Sequence, residues 1–125
     1  VKSMPYNFSA EALDVHHTRN IEIQLPYNKV FDLCIDSLSL LKKYEYIRRY
    51  KIKNEDRLKG RIQAKTNTGD LISFNIRKIS DNRTLLEVSN GPSSSLVFID
   101  WGRNLRNIER IVQFFKEINK VSSPL

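Results

Sequence analysis

The stretch from Arg57 to Lys65 constrains the fold of this chain more than any other. Leu58, Gly60, Ile62 and Ala64 alternate with Arg57, Lys59, Arg61, Gln63 and Lys65. A period of two places the first set on one face of a strand and the second on the opposite face. One face therefore needs an apolar layer against it. The other needs water, or a partner that accepts dense positive charge. Such a division belongs to an antiparallel sheet covered on one side only, and it excludes a buried parallel sheet, whose strands are apolar on both faces.

The flanking segments extend this pattern. Arg19 to Leu25 alternates with Ile21, Ile23 and Leu25 on one face, and Pro26 ends that strand and suits the first turn of a helix. From Val30 the apolar spacing changes to Val30, Phe31, Cys34, Ile35, Leu38 and Leu41, with Asp32 and Asp36 opposite, which predicts an amphipathic helix. Tyr44 to Lys53 is rich in aromatic and β-branched residues and reads as a strand, with Asn54-Glu55-Asp56 as its turn. Asn67 to Asp70 and Ser80-Asp81-Asn82 are further polar turns around Ile72, Phe74 and Ile76, and Leu86 and Val88 lie in a last strand that stops at Asn90-Gly91-Pro92. Short polar turns favour consecutive hairpins.

The stripe Leu105, Ile108, Ile111, Val112, Phe115 and Ile118 predicts a long C-terminal helix. Ahead of it, Asp100, Trp101 and Gly102 read as a structural cap. The carboxylate suits the free amides and positive end of the helix, the indole closes one end of the core, and the glycine permits close backbone approach. The expected fold is α+β, an antiparallel sheet of about five strands with two helices on one face, in the order β-α-β-β-β-β-α. Residues 1–18 are expected to form an arm, 19–120 the single domain and 121–125 a tail.

Length and composition narrow the functional classes. At 125 residues the chain supports one core. Cys34 is the only cysteine, so no internal disulfide forms, and no apolar run reaches the length of a membrane span. His16 and His17 are adjacent, and neighbouring strand residues point to opposite faces, so they read as an arm pair rather than metal ligands. Cys34 lies on the apolar stripe of the first helix and reads as a small hydrophobe. No paired carboxylates, glycine-rich phosphate loop, triad or metal cluster is evident. The chain therefore reads as a non-catalytic binding domain without a cofactor. The opening Val1-Lys2-Ser3-Met4 suits a trimmed or processed start, so the expected compartment is cytoplasmic, or exported or membrane-tethered if a leader or anchor has been removed.

The formal net charge of +7 is concentrated in one segment. Between Lys42 and Lys65 stand ten Lys or Arg (42, 43, 48, 49, 51, 53, 57, 59, 61, 65) against acids at 45, 55 and 56. Arg49, Lys51, Lys53, Arg57, Lys59, Arg61 and Lys65 are expected to share the open sheet face. That patch suits an acidic protein or anionic lipid headgroups. Sequence-independent nucleic-acid binding ranks below these, because no exposed aromatic accompanies the charges on the third strand's outward set. The bland alternative is a solvated face whose lysines discourage edge pairing.

The second strand poses a parity problem. Tyr44, Tyr46, Tyr50 and Ile52 share one parity with Arg48, whereas Ile47 has the other. Either a bulge resets the register or Arg48 points towards the helices. In the latter case Tyr46, Arg48 and Tyr50, with Phe74 and Phe115, would line an inner pocket for a small apolar, lipid-like ligand between sheet and final helix. Gly60 and Ala64 argue instead for a filled interior, since small inward residues let a helix pack close.

The element order, Pro26 with Val30-Phe31, the segment Asp100-Trp101-Gly102-Arg103-Asn104 and the segment Asn107 to Ile111 together resemble a single repeat of the TATA-box-binding-protein-like fold. They are also similar to the minimal core of the helix-grip, START-like superfamily, and most of all to small bacterial domains of unknown function. The resemblance covers roughly residues 20–119 and implies a fold without an activity. Larger helix-grip proteins insert elements after the first helix to enclose a cavity. This chain passes directly from Leu41 to Tyr44.

Overall fold

A computed structural model describes residues 16–41, 47–66, 69–92 and 103–122, with the backbone alone at 47–51, 103 and 121–122. The elements are β1 (His17–Ile23), α1 (Tyr27–Leu41), β2 (Ile47–Glu55), β3 (Lys59–Thr66), β4 (Asp70–Ser80), β5 (Arg83–Pro92) and α2 (Arg103–Ser122). The order is the one the sequence predicts. The five strands form an antiparallel sheet in the order β1-β5-β4-β3-β2, so β2 to β5 run as a meander and β1 joins beside β5.

Cross-strand register assigns the faces. Ile62, Phe74 and Val88 lie opposite one another across β3, β4 and β5, as do Gly60, Ile76 and Leu86. These positions face the helices. Ile62, Phe74, Val88 and Leu86 are fully buried with Val30, Cys34, Leu38 and Leu41 of α1 and Ile108, Ile111 and Phe115 of α2. Both apolar helix stripes are thus consumed on one side of the sheet, and among the described residues no helix covers the strand residues of opposite parity. Asn119 fastens α2 to the end of β1. Its Nδ2 donates to the Glu22 carbonyl at 3.1 Å and its Oδ1 accepts from the Gln24 amide at 3.3 Å.

Three local readings need correction. β1 begins at His17, inside the segment expected to be an arm, and His17 is buried opposite Asn90. A strand edge that pairs with β5 does not require alternation in its own first residues. At the other end, α2 continues to Ser122, two residues into the expected tail. Finally, Asn54 and Glu55 belong to β2 rather than to a turn, and Leu58 is exposed rather than inward. The chain reverses at Asp56 and Arg57, which both adopt positive φ (53° and 58°), and the Leu58 amide donates to the Glu55 carbonyl at 2.9 Å. Two consecutive positive φ values match the twist of a tight hairpin, although neither residue is the glycine or asparagine that usually signals it.

That turn is held from below. Asn54 Oδ1 accepts from the Arg57 amide at 3.2 Å and from the Tyr27 hydroxyl at 3.0 Å. Tyr27 opens α1, and it reaches Asn54 because Gly60, opposite Asn54 in register, has no side chain. A Cβ on Gly60 would strike the Tyr27 hydroxyl and lie 2.7 Å from Phe31 Cε2. Burial raises the Tyr27 phenol above its ordinary pKa, with the Cys34 thiol and the Glu55 carboxylate adding to the shift. It therefore remains the donor to Asn54. Gly60→Ala is expected to cost about 1–3 kcal/mol, the range for overpacking a filled site, measured as a lower midpoint in urea unfolding with an unchanged slope.

Candidate functional site

The uncovered face of the sheet carries the residues whose parity opposes the core. Across β2, β3 and β4, Lys53 lies opposite Arg61, and Lys59 lies between Glu55 on β2 and Arg77 on β4. The backbone register also places position 49 opposite Lys65 and position 51 opposite Gln63. Cations therefore confront cations directly across neighbouring strands, an arrangement that destabilises a sheet. Lys53 has a partner in Glu55 at 3.1 Å, but both are well exposed, and such a pair contributes little. Lys59, Arg61, Lys65 and Arg77 make no ion pair among the described residues.

Towards β5 and β1 the same face is hydrogen-bonded and its charges are paired, Glu22 with Arg83. Asn75 Nδ2 donates to Glu87 Oε1 at 2.9 Å, and Thr18 Oγ1 and Ser89 Oγ lie 3.2 Å apart. Glu87 is thus occupied beside the cationic strip rather than neutralising it. Open depressions follow the strip. One of about 330 Å³ is walled by Asn20, Lys59, Asn75, Arg77 and Glu87, and one of about 220 Å³ by Lys53, Glu55, Lys59, Arg61 and Asn75. A third, of about 500 Å³, lies at Lys53, Arg61 and Gln63. Shared walls at Lys53, Lys59, Arg61 and Asn75 make them one shallow trough over β2 to β4.

The sequence-predicted site is partly assembled here. Lys53, Lys59, Arg61 and Lys65 share the open face. Arg57 does not, because it occupies the tight turn at the hairpin tip. The side chains of Arg48, Arg49, Tyr50 and Lys51 lie outside the described residues, as do Tyr46, Asp100, Trp101 and Gly102 altogether. The parity problem in β2 resolves as a register shift between Ile47 and Arg49, so Arg48 is the bulge position. Positions 47, 50 and 52 then stand opposite Thr66, Ala64 and Ile62, all on one face. Phe74 and Phe115 are fully buried core residues. Arg77 was not among the predicted residues. Continuing the alternation two residues beyond Asn75 places it outward, and that signal was available.

Other reactive groups are built into the packing. Cys34 is fully buried, and that burial raises its thiol well above the ordinary range. Ser37, also buried, donates its hydroxyl to the Cys34 carbonyl at 2.7 Å. Among the described residues no group of three or more His, Cys, Asp or Glu is placed to hold a metal ion, and no helix is long and apolar enough to cross a membrane.

No family model matches the chain, and no curated protein matches it. Among solved structures it is similar to an uncharacterised protein from Bacillus thuringiensis, at 17% identity and a TM-score of 0.46, over 85% of this chain and 97% of that one.

Burial disfavours the Cys34 thiolate, which is the nucleophilic form, and leaves the sulfur out of reach of solvent. Iodoacetamide at pH 8 is therefore expected to leave the folded protein unmodified over the time in which the urea-unfolded chain reacts fully, as read by intact mass.

Proposed function

We propose that this chain is a non-catalytic binding module that receives an anionic partner on the trough over β2, β3 and β4. The observation that carries the reading is the pairing of Lys59 with Arg77 across two interior strands. Cations on β2 alone would be explained by its position at the sheet edge, where charge discourages edge-to-edge association. β3 and β4 are not edges. Their opposed cations cost stability with no protective return, and that cost is offset when an anion lies between them.

The hydrogen-bonded half of the face supports the same reading. Asn75 and Ser89 offer hydrogen-bonding groups beside the charges, and the carboxylates of this face are already engaged, Glu87 by Asn75, Glu22 by Arg83 and Glu55 by Lys53. An anion held there meets donors from β4 while its charge lies over β3.

The test is retention on immobilised heparin, a generic polyanion, for the wild type and for Lys59→Glu/Arg61→Glu/Lys65→Glu. Wild type is expected to bind at about 50 mM salt and to elute steeply by about 200 mM, as phosphate- or sulfate-type contacts do. The variant should flow through while unfolding at the same temperature or higher, since like-charge contacts are relieved. Equal retention of both proteins, or none of the wild type at low salt, would overturn the reading.

A further inference from the structure

We infer that the anionic partner is a lipid surface, and that the protein meets it end-on through the β2–β3 and β4–β5 turns, with Leu58 and Ile79 entering the headgroup layer. This rests on the anionic-partner reading above and names the partner's class.

The large apolar side chains most exposed among the described residues are Ile52 (55%), Leu58 (53%) and Ile79 (45%). Two of the three stand at the same end of the sheet. The Leu58 carbonyl accepts from the Lys78 amide at 2.9 Å, so Ile79, the next residue, is beside the β2–β3 turn. Ile79 occupies the register shift between Lys78 and Ser80, where the chain leaves the regular ladder. Leu58 is displayed by the turn that Asn54 and Tyr27 hold from below. Both side chains are therefore presented by fixed backbone rather than left over from a loose loop.

Cations flank this apolar pair on its strand side, and the acids Asp56 and Asp81 stand at the two turn tips. Arg57 and Lys59 flank Leu58, and Arg77 and Lys78 precede Ile79. Lys78 is engaged by Asp81 at 3.3 Å, whereas Arg57, Lys59 and Arg77 make no ion pair among the described residues. Arg61 and Lys53 follow two positions further down their strands from Lys59 and Glu55, roughly 7 Å at the rise of a strand. That lies within the ~8 Å over which an anionic surface acts at physiological salt. Aliphatic tips backed by a cationic collar combine the two terms that hold a protein at a charged bilayer, apolar immersion and attraction to headgroups.

The alternatives fit this end less well. Single-stranded nucleic acid binds by stacking on aromatic rings, and the exposed pair is aliphatic. A stable protein interface needs about 800 Å² from each partner, and two side chains on adjoining turns are a small part of such a patch. A bilayer demands only that a few apolar atoms enter it.

The experiment is co-sedimentation with vesicles of phosphatidylcholine and phosphatidylglycerol, beside pure phosphatidylcholine vesicles, soluble heparin and duplex DNA, at about 50 mM salt. Wild type and Leu58→Ser/Ile79→Ser are compared after both have shown the same thermal unfolding. The wild type is expected to bind the anionic vesicles and not the neutral ones. The double variant should bind those vesicles about tenfold or more weakly, given ~0.8 kcal/mol per immersed methylene, with heparin binding unchanged. Equal vesicle binding by both proteins overturns the inference. So does heparin or DNA binding without vesicle binding, which leaves the anionic-partner reading standing. Binding to none of the three anionic probes removes both.

Discussion

The close approach of α1 to β3 at Gly60 is the contact on which the rest of the molecule depends. A helix covers a sheet only as closely as the side chains between them allow. Here the first turn of α1 lays Tyr27 and Phe31 over a strand position that has no side chain. The Tyr27 hydroxyl then reaches Asn54 on the edge strand, and Asn54 in turn holds the Arg57 amide of the turn. One absent Cβ thereby couples the core helix to the tip of the basic hairpin. Because β2 is an edge strand paired only with β3, this coupling fixes where its outward cations stand.

The opposite end of the covered face is closed by polar groups. Asn90 on β5 donates to the Asn104 carbonyl in the first turn of α2 at 3.3 Å, and Asn104 Nδ2 lies 3.4 Å from Asp70 Oδ1. Thr66 Oγ1 accepts the Asp70 amide at 3.0 Å, bracketing the turn between β3 and β4. Buried groups of this kind are costly unless partnered, so they specify one arrangement of α2 on the sheet rather than adding much net stability. Asn119 ties the far end of α2 to β1, so both ends of the final helix are fixed on the covered face.

Much of this was legible in the sequence, for reasons that differ by element. α1 and α2 announce themselves because their stripes repeat over four turns or more, and β3 because strict alternation leaves no other period. The faces of β4 and β5 follow from Phe74, Ile76, Leu86 and Val88 in the same way. The β2–β3 turn was misplaced because its signal is conformational. Asp56 and Arg57 adopt positive φ without glycine, driven by pairing on both sides. Leu58 followed the alternation of β3 in sequence and yet falls outside the covered area. The start of β1 carries no apolar signal, because its first residue, paired with Asn90, is the buried but polar His17. Within the candidate site, the charges on β3 were readable, but their confrontation with Arg77 was not. That required the register between strands, which no single strand's pattern contains.

The central claim is that anions are received on the open face and not on the helical one. Lysine acetylation footprinting, read residue by residue by mass spectrometry with and without a heparin oligosaccharide, addresses it most directly. Lys53, Lys59 and Lys65 stand on the sheet face, whereas Lys29 on α1 and Lys116 and Lys120 on α2 are exposed on the helical side. The account predicts that the first three lose reactivity when the oligosaccharide is added and the last three keep theirs. Uniform protection of all six, or protection of the helical lysines alone, would contradict it.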